Sequence, residues 1–239
     1  CGSRDELMAC LPPEESRPTY AEKRLSSYAY LDEIGRNEAE DPYYFGASLV
    51  DRIQQTPHQE IGTHTLSHYY CLEPGQTVAQ FTADLQAALQ LAQQKGIAIK
   101  SIVFPRNQFS DPYLQACRAL GVRVYRGTRA QWVYRPAPDS HQTLLRRAGR
   151  LIDAHTGLLG SAPLGFDRLE ISNVPASQFL RPATGRLKPL HPMHRNTIKR
   201  GMSVAASKGN AYHLWWHPHN FGLDMEDNLS SMQDILDHF

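Results

Sequence analysis

Glu60-Ile61-Gly62-Thr63-His64-Thr65-Leu66-Ser67-His68 is the stretch that decides the reading of this chain. An apolar strand end runs into two histidines four residues apart. If the backbone turns helically here, both imidazoles lie on one side, about 5–6 Å apart at Cβ, where they can share a divalent ion. Gly62 is read as the residue that lets the chain turn sharply after the strand, and the Thr63, Thr65 and Ser67 hydroxyls as partners for the ring nitrogens facing away from a metal. Two histidines at this spacing are also what a polar surface or a satisfied buried ring gives. Position 65 is Thr, so the general-base Glu of the zincin pattern is missing.

A second histidine cluster, His213-Leu214-Trp215-Trp216-His217-Pro218-His219-Asn220, stands where a strand is expected to end near the C-terminus. Between the two clusters, Ser101-Ile102-Val103-Phe104-Pro105-Arg106-Asn107-Gln108 forms another apolar strand end with a cation behind it. In a parallel architecture such strand ends converge on one face, which brings distant residues into one site.

These three stretches resemble the motifs of the polysaccharide deacetylases, the NodB-homology group or carbohydrate esterase family four. His64-Thr65-x-x-His68 is similar to the motif whose two histidines bind zinc or a similar ion. The resemblance implies that His64 and His68 are metal ligands and that Arg106 orients the catalytic base. It also implies that His217 is the general acid, with His219 as its competitor. Asn107, Trp215, His219 and Asn220 are then assigned to substrate. Two positions depart from the family pattern: Phe-Pro-Arg-Asn stands in place of Arg-Pro-Pro, and Trp215 in place of a Leu.

The family's Thr-Phe-Asp-Asp run, which supplies the base and a third metal ligand, has no counterpart before His64. The expectation is therefore a distorted (β/α) barrel of the α/β class, incomplete at its N-terminus, lacking the first strand and first motif and spanning 1–239 as one catalytic domain. The implied activity is removal of N-acetyl groups from sugars of a polysaccharide or glycan, in bacterial surface-polysaccharide metabolism, with a divalent metal, zinc by preference. An absent Asp motif would leave this chain alone without its catalytic carboxylate. The alternative is a degenerate, non-catalytic glycan-binding member of the same fold.

Composition fits a globular enzyme domain. The 239 residues are 41% hydrophobic with a formal charge of +1, enough to bury one substantial core and too balanced to provide a basic field for nucleic acid. The four cysteines are scattered, with no Cys-x-x-Cys pair. Cys71 lies close to His68 in sequence, but a hydrolytic site with an open position has no need of a soft fourth ligand. No apolar run is long enough to span a membrane.

Alternating elements are expected along the chain. Helices are read over Ser3 to Leu11, after the Thr77 and Gln80 capping box as far as Gly96, over Asp111 to Leu120, His141 to His155, His194 to Lys208 and Glu226 to Phe239. Strands are read over Ile97 to Phe104, Val122 to Tyr125, Arg168 to Ser172 and Ala211 to His217. In the fourth helix Leu144, Leu145, Ala148, Leu151 and Ile152 are expected to face the core, with Arg146, Arg147 and Arg150 in solvent. In the last helix the expected inner face is Leu229, Met232, Ile235 and Leu236.

Overall fold

The computed structural model describes residues 2–160 and 171–239. The chain divides into two compact units. The first takes residues 2–126, 136–139 and 171–172, and the second residues 127–135, 140–160 and 173–239.

The first unit starts with α1 (Arg4–Cys10), capped by the Ser3 side chain accepting from the Glu6 N–H, and continues to α2 (Ala47–Gln55). Helix α3 (Val78–Gln94) follows, with the expected capping box: the Thr77 side chain accepts from the Gln80 N–H, and Gln80 reaches back to the Thr77 N–H. Two orphan donors of the first turn are satisfied in this way. Gly96 sits just past the helix at φ +70°, which a side chain would disfavour. β1 (Ser101–Val103), α4 (Asp111–Ala119) and β2 (Val124–Arg126) complete the unit's main elements. β1 and β2 pair in parallel with Ile102 opposite Tyr125. On one flank Thr63 bridges to Ile102 in parallel. On the other, the Ser172 N–H, at the start of β3 (Ser172–Asn173), donates to the Arg123 carbonyl at 2.7 Å.

The core of this unit is aromatic. Phe81 packs edge-on to Tyr69 at 5.4 Å and to Tyr113 at 5.2 Å, and stacks on Phe104 at 5.9 Å between centroids. Leu85, Ile102, Val122 and Cys117 fill the space around them, all fully buried. Cys71 lies in the same cluster, and burial pushes its thiol far above the usual range, so it is an inert core side chain.

The second unit holds α5 (Leu144–Thr156), the two-strand parallel pair β4 (Gln178–Phe179) and β5 (Leu214–Trp215), α6 (His191–Ser207) and α7 (Met225–Leu236). One expected face is reversed here, and another holds only in part. Leu144 and Leu145 on α5 are 82% and 69% exposed, whereas Arg146 is buried with its guanidinium on the Trp132 and Arg135 carbonyls. Arg150 likewise bonds the Val133 carbonyl. The loop at 132–135 offers carbonyls that need donors, so Arg146 and Arg150 turn inward, while Arg147 stays exposed as expected. On α7, Ile235 and Met232 pack into the apolar cluster as expected, but Leu229 and Leu236 are exposed, and Asn228 and Ser231 are buried. Asn228 Oδ1 accepts the Ala183 N–H at 2.6 Å, which holds that face of the helix in.

The strands are shorter than expected: the last is two residues, Leu214 and Trp215, instead of Ala211 to His217. Most of the strand expected over Arg168 to Ser172 lies outside the described residues. Among the described residues no helix is long and apolar enough to cross a membrane.

Candidate metal and substrate site

The imidazoles of His64 and His68 meet edge-on, with ring centroids 4.8 Å apart. Their proximity was expected from a helical turn, but no helix forms between them. The chain instead doubles back through two left-handed residues, Thr65 at φ +68° and His68 at φ +56°. A positive φ is uncommon for His and an outlier for β-branched Thr, costing on the order of 1–3 kcal/mol each. The fold therefore holds this loop against its local preference.

Several contacts hold it. Thr63 is tied to β1 on both sides, its N–H donating to the Ser101 carbonyl and its carbonyl accepting from the Val103 N–H, each at 2.9 Å. Gly62 lies against that strand: a Cβ there would come within 2.7 Å of Ser101 Oγ. Its glycine is thus needed for close approach rather than for the sharp turn expected from the sequence. Beyond the turn, the fully buried Asp84 of α3 accepts the Leu66 N–H at 2.9 Å and the Ser67 N–H at 3.2 Å. Burial raises the Asp84 carboxyl above its ordinary range, with these hydrogen bonds pulling the other way.

The hydroxyls serve the loop and not the rings. Thr63 Oγ1 accepts the Thr65 N–H, and Thr65 Oγ1 accepts the Tyr69 N–H at 2.8 Å. The His64 ring is oriented by backbone, its Nδ1 lying 2.6 Å from the Val103 carbonyl oxygen. A carbonyl only accepts, so Nδ1 carries the proton and Nε2 the lone pair of the neutral ring. This is the tautomer and the kind of outer partner that metal-binding histidines use.

Arg106 joins the same neighbourhood. The 3-10 turn Pro105–Asn107 holds Arg106 and Asn107 at φ +51° and +54°. The guanidinium lies 4.4 Å from the centre of the Tyr70 ring, and Tyr70 packs edge-on to His68 at 5.1 Å. Arg106 also pairs with Asp139 at 2.9 Å. Asp139 is held in turn by Glu73, a nearly buried carboxylate that accepts the Asp139 N–H at 2.8 Å and the Gln108 amide at 2.6 Å. Asn107 accepts from Arg126 at 3.0 Å, and burial lowers the Arg126 pKa to about 10.

The sequence reading missed Asp84, Glu73 and Asp139. Asp84 falls on the buried side of a helix read for its apolar residues, and Asp139 lies in a Pro-rich loop. Nothing local marks either one. Among the described residues, no group of three or more His, Cys, Asp or Glu side chains gathers as a metal cage.

The remaining assigned residues belong to the second unit. Trp215 packs on Phe179 at 4.4 Å, and His217 meets Trp215 edge-on at 5.3 Å and Phe179 at 5.9 Å. His219 stacks on His217 with centroids 5.1 Å apart and planes 21° from parallel. Asn220 lies in the 3-10 turn Pro218–Phe221, where its N–H donates to the His217 carbonyl. Trp216, just past the end of β5, is 39% exposed.

No family model matches the chain, and no curated protein matches it either.

Proposed function

We propose that this protein is a metal-dependent amide hydrolase that removes N-acetyl groups from sugars of a glycan, built as a distorted (β/α) barrel. The observation that carries this reading is the pair of imidazoles held 4.8 Å apart by a loop with two left-handed residues. Backbone strain of this kind persists where the surroundings over-determine it, and it concentrates at working sites. The donor set fits: two imidazoles, one with its Nδ1–H fixed on a carbonyl, suit a borderline-soft divalent cation. His64 and His68 would hold a zinc ion, which would supply Lewis-acid polarisation of the amide carbonyl.

The chain's own residues support the rest. Arg106, over the Tyr70 ring that packs on His68 and paired with Asp139, is a fixed cation suited to orienting a carboxylate or an anionic group of substrate. In the second unit, His217 is assigned proton donation to the departing amine, as the resemblance implies, and its ring plane is set by Trp215 and His219. The second reading, glycan binding without turnover, is favoured by Trp215 and Phe179, whose packed rings suit a sugar face.

Calorimetric titration with zinc tests the metal assignment. One ion per chain is expected, and His64→Ala or His68→Ala should weaken uptake by at least about a hundredfold, since even an outer partner is worth 10- to 100-fold. Uptake unchanged in either variant contradicts the assignment. Replacing His217 by Ala should leave zinc uptake intact and lower release of acetate from an N-acetylated oligosaccharide by roughly 10²–10⁴-fold.

A further inference from the structure

The first unit contains a cavity of about 530 Å³ with His64 and His68 in its wall, a size typical of small-molecule sites. Its direction follows from α3. Asp84 ties the helix to the histidine loop at Leu66 and Ser67, and Ala88, Leu91, Ala92 and Lys95 line the cavity farther along. Those four repeat at three and four residues and so share one helix face, and Lys95 lies about 16 Å beyond Asp84 at 1.5 Å per residue. At the far end Lys95 pairs with Glu6 of α1 at 2.6 Å. The other walls are mostly apolar, with Leu7, Leu31 and Val50 among them, and Tyr28, Tyr30 and Asp51 add polar atoms.

The cavity thus has imidazoles at one end, mainly hydrocarbon along its length and an ion pair at the other. A sugar ring would leave most of its hydroxyls without partners along the aliphatic stretch of such walls, at a cost for every unpaired group. An acetyl group would fill only a small part of the space and forfeit dispersion contacts on most sides. We propose that the cavity is an acyl-chain site, so that besides N-acetyl groups this protein takes, and binds more tightly, sugar N-acyl groups with longer chains. The carbonyl then meets His64 and His68, and a medium-length chain runs along α3 towards Lys95. This inference rests on the amide-hydrolase reading for its polar end alone; the apolar length stands on the cavity itself.

The test is calorimetric binding of N-acetyl-, N-butanoyl-, N-octanoyl- and N-hexadecanoylglucosamine to the zinc-loaded chain, with zinc uptake measured separately. At about 0.8 kcal/mol per buried methylene, affinity should rise about fourfold per added carbon, by at least about a hundredfold from acetyl to octanoyl. It should then level off where the Glu6–Lys95 pair closes the far end. Ala88→Phe, which fills the cavity midway along α3, should abolish the gain, with zinc uptake reporting that the loop is folded. Affinity flat with chain length, or a gain that survives Ala88→Phe, overturns the acyl-chain site. A chain-length gain without zinc uptake upholds the acyl-chain site and overturns the metal reading.

Discussion

The two units are built on opposite principles. The first packs an aromatic cluster around Phe81 and uses its buried carboxylates, Asp84 and Glu73, to hold loops. The second has a small apolar cluster of Leu180, Ile198, Phe221 and Ile235, and alongside it a buried polar network. In that network Arg129 and Asp153 pair at 2.8 Å with almost no exposure. Arg129 also bonds Gln178 and stacks over Tyr134, whose hydroxyl donates to Asp153 at 2.6 Å. Apolar packing tolerates change gradually, whereas a buried charge network fails when one member is removed. The contrast suggests why local strain is found in the first unit's histidine loop: a stiff aromatic core and two β1 hydrogen bonds hold the loop where its own torsions would not.

The sharpest way to break the comparison is to delete one member from each core. Asp153→Ala should cost about 3–5 kcal/mol by stranding Arg129, and Phe81→Ala a similar amount through cavity formation. Refilling separates them. Phe81→Leu should recover most of the loss, whereas Asp153→Leu should recover none, because the guanidinium still lacks its partner. Urea midpoints measure both, and equal recovery would erase the distinction.

The units should also respond to pH with opposite signs. In the second, desolvation lowers the His194 pKa to about 4, its ring fixed between the Ala154 carbonyl and the Arg181 N–H, with His155, His191 and Arg181 nearby. The unfolded chain takes up that proton near pH 6.5 and the folded one does not, so stability falls as pH drops from about 6.5 to about 4, by about 3 kcal/mol. Asp84 in the first unit acts in reverse. Its raised folded pKa means the folded state binds the proton first, so its contribution improves as pH falls. His194→Gln should flatten the first dependence and Asp84→Asn the second. Hydrogen exchange of α6 and α3 amides at pH 7 and pH 5 reads the two separately, and parallel loss of protection in both would contradict the account.

The smallest expected effect is at helix starts. Thr77→Ala on α3 and Thr143→Ala on α5 each remove one cap hydrogen bond and should cost about 1 kcal/mol. Near-equal values are expected, since capping is local and indifferent to the core behind it. Thermal unfolding checks this.

What the sequence made legible follows the same line. The Thr77–Gln80 box and the glycines past α3, α4 and α6 are local chemistry, so those helices were readable. The proximity of His64 and His68 was readable from spacing, though the reason was wrong: an i, i+4 pair can meet across a left-handed turn as well as a helical one. Helix α5 was misjudged because a leucine stripe was assumed to face the core. The carbonyls that draw Arg146 and Arg150 inward belong to a loop whose path no local pattern reveals. Asp139 was invisible for the same reason: it pairs directly with Arg106 but is held there by Glu73, 66 residues earlier in the chain.

The central claim is that the loop from His64 to His68 is shaped to hold a cation. Anomalous diffraction at the zinc edge from crystals grown with zinc tests it directly. The account predicts one strong peak within about 2.0–2.1 Å of a ring nitrogen of each histidine. A peak at neither ring, or at one ring with the other turned away, would contradict it.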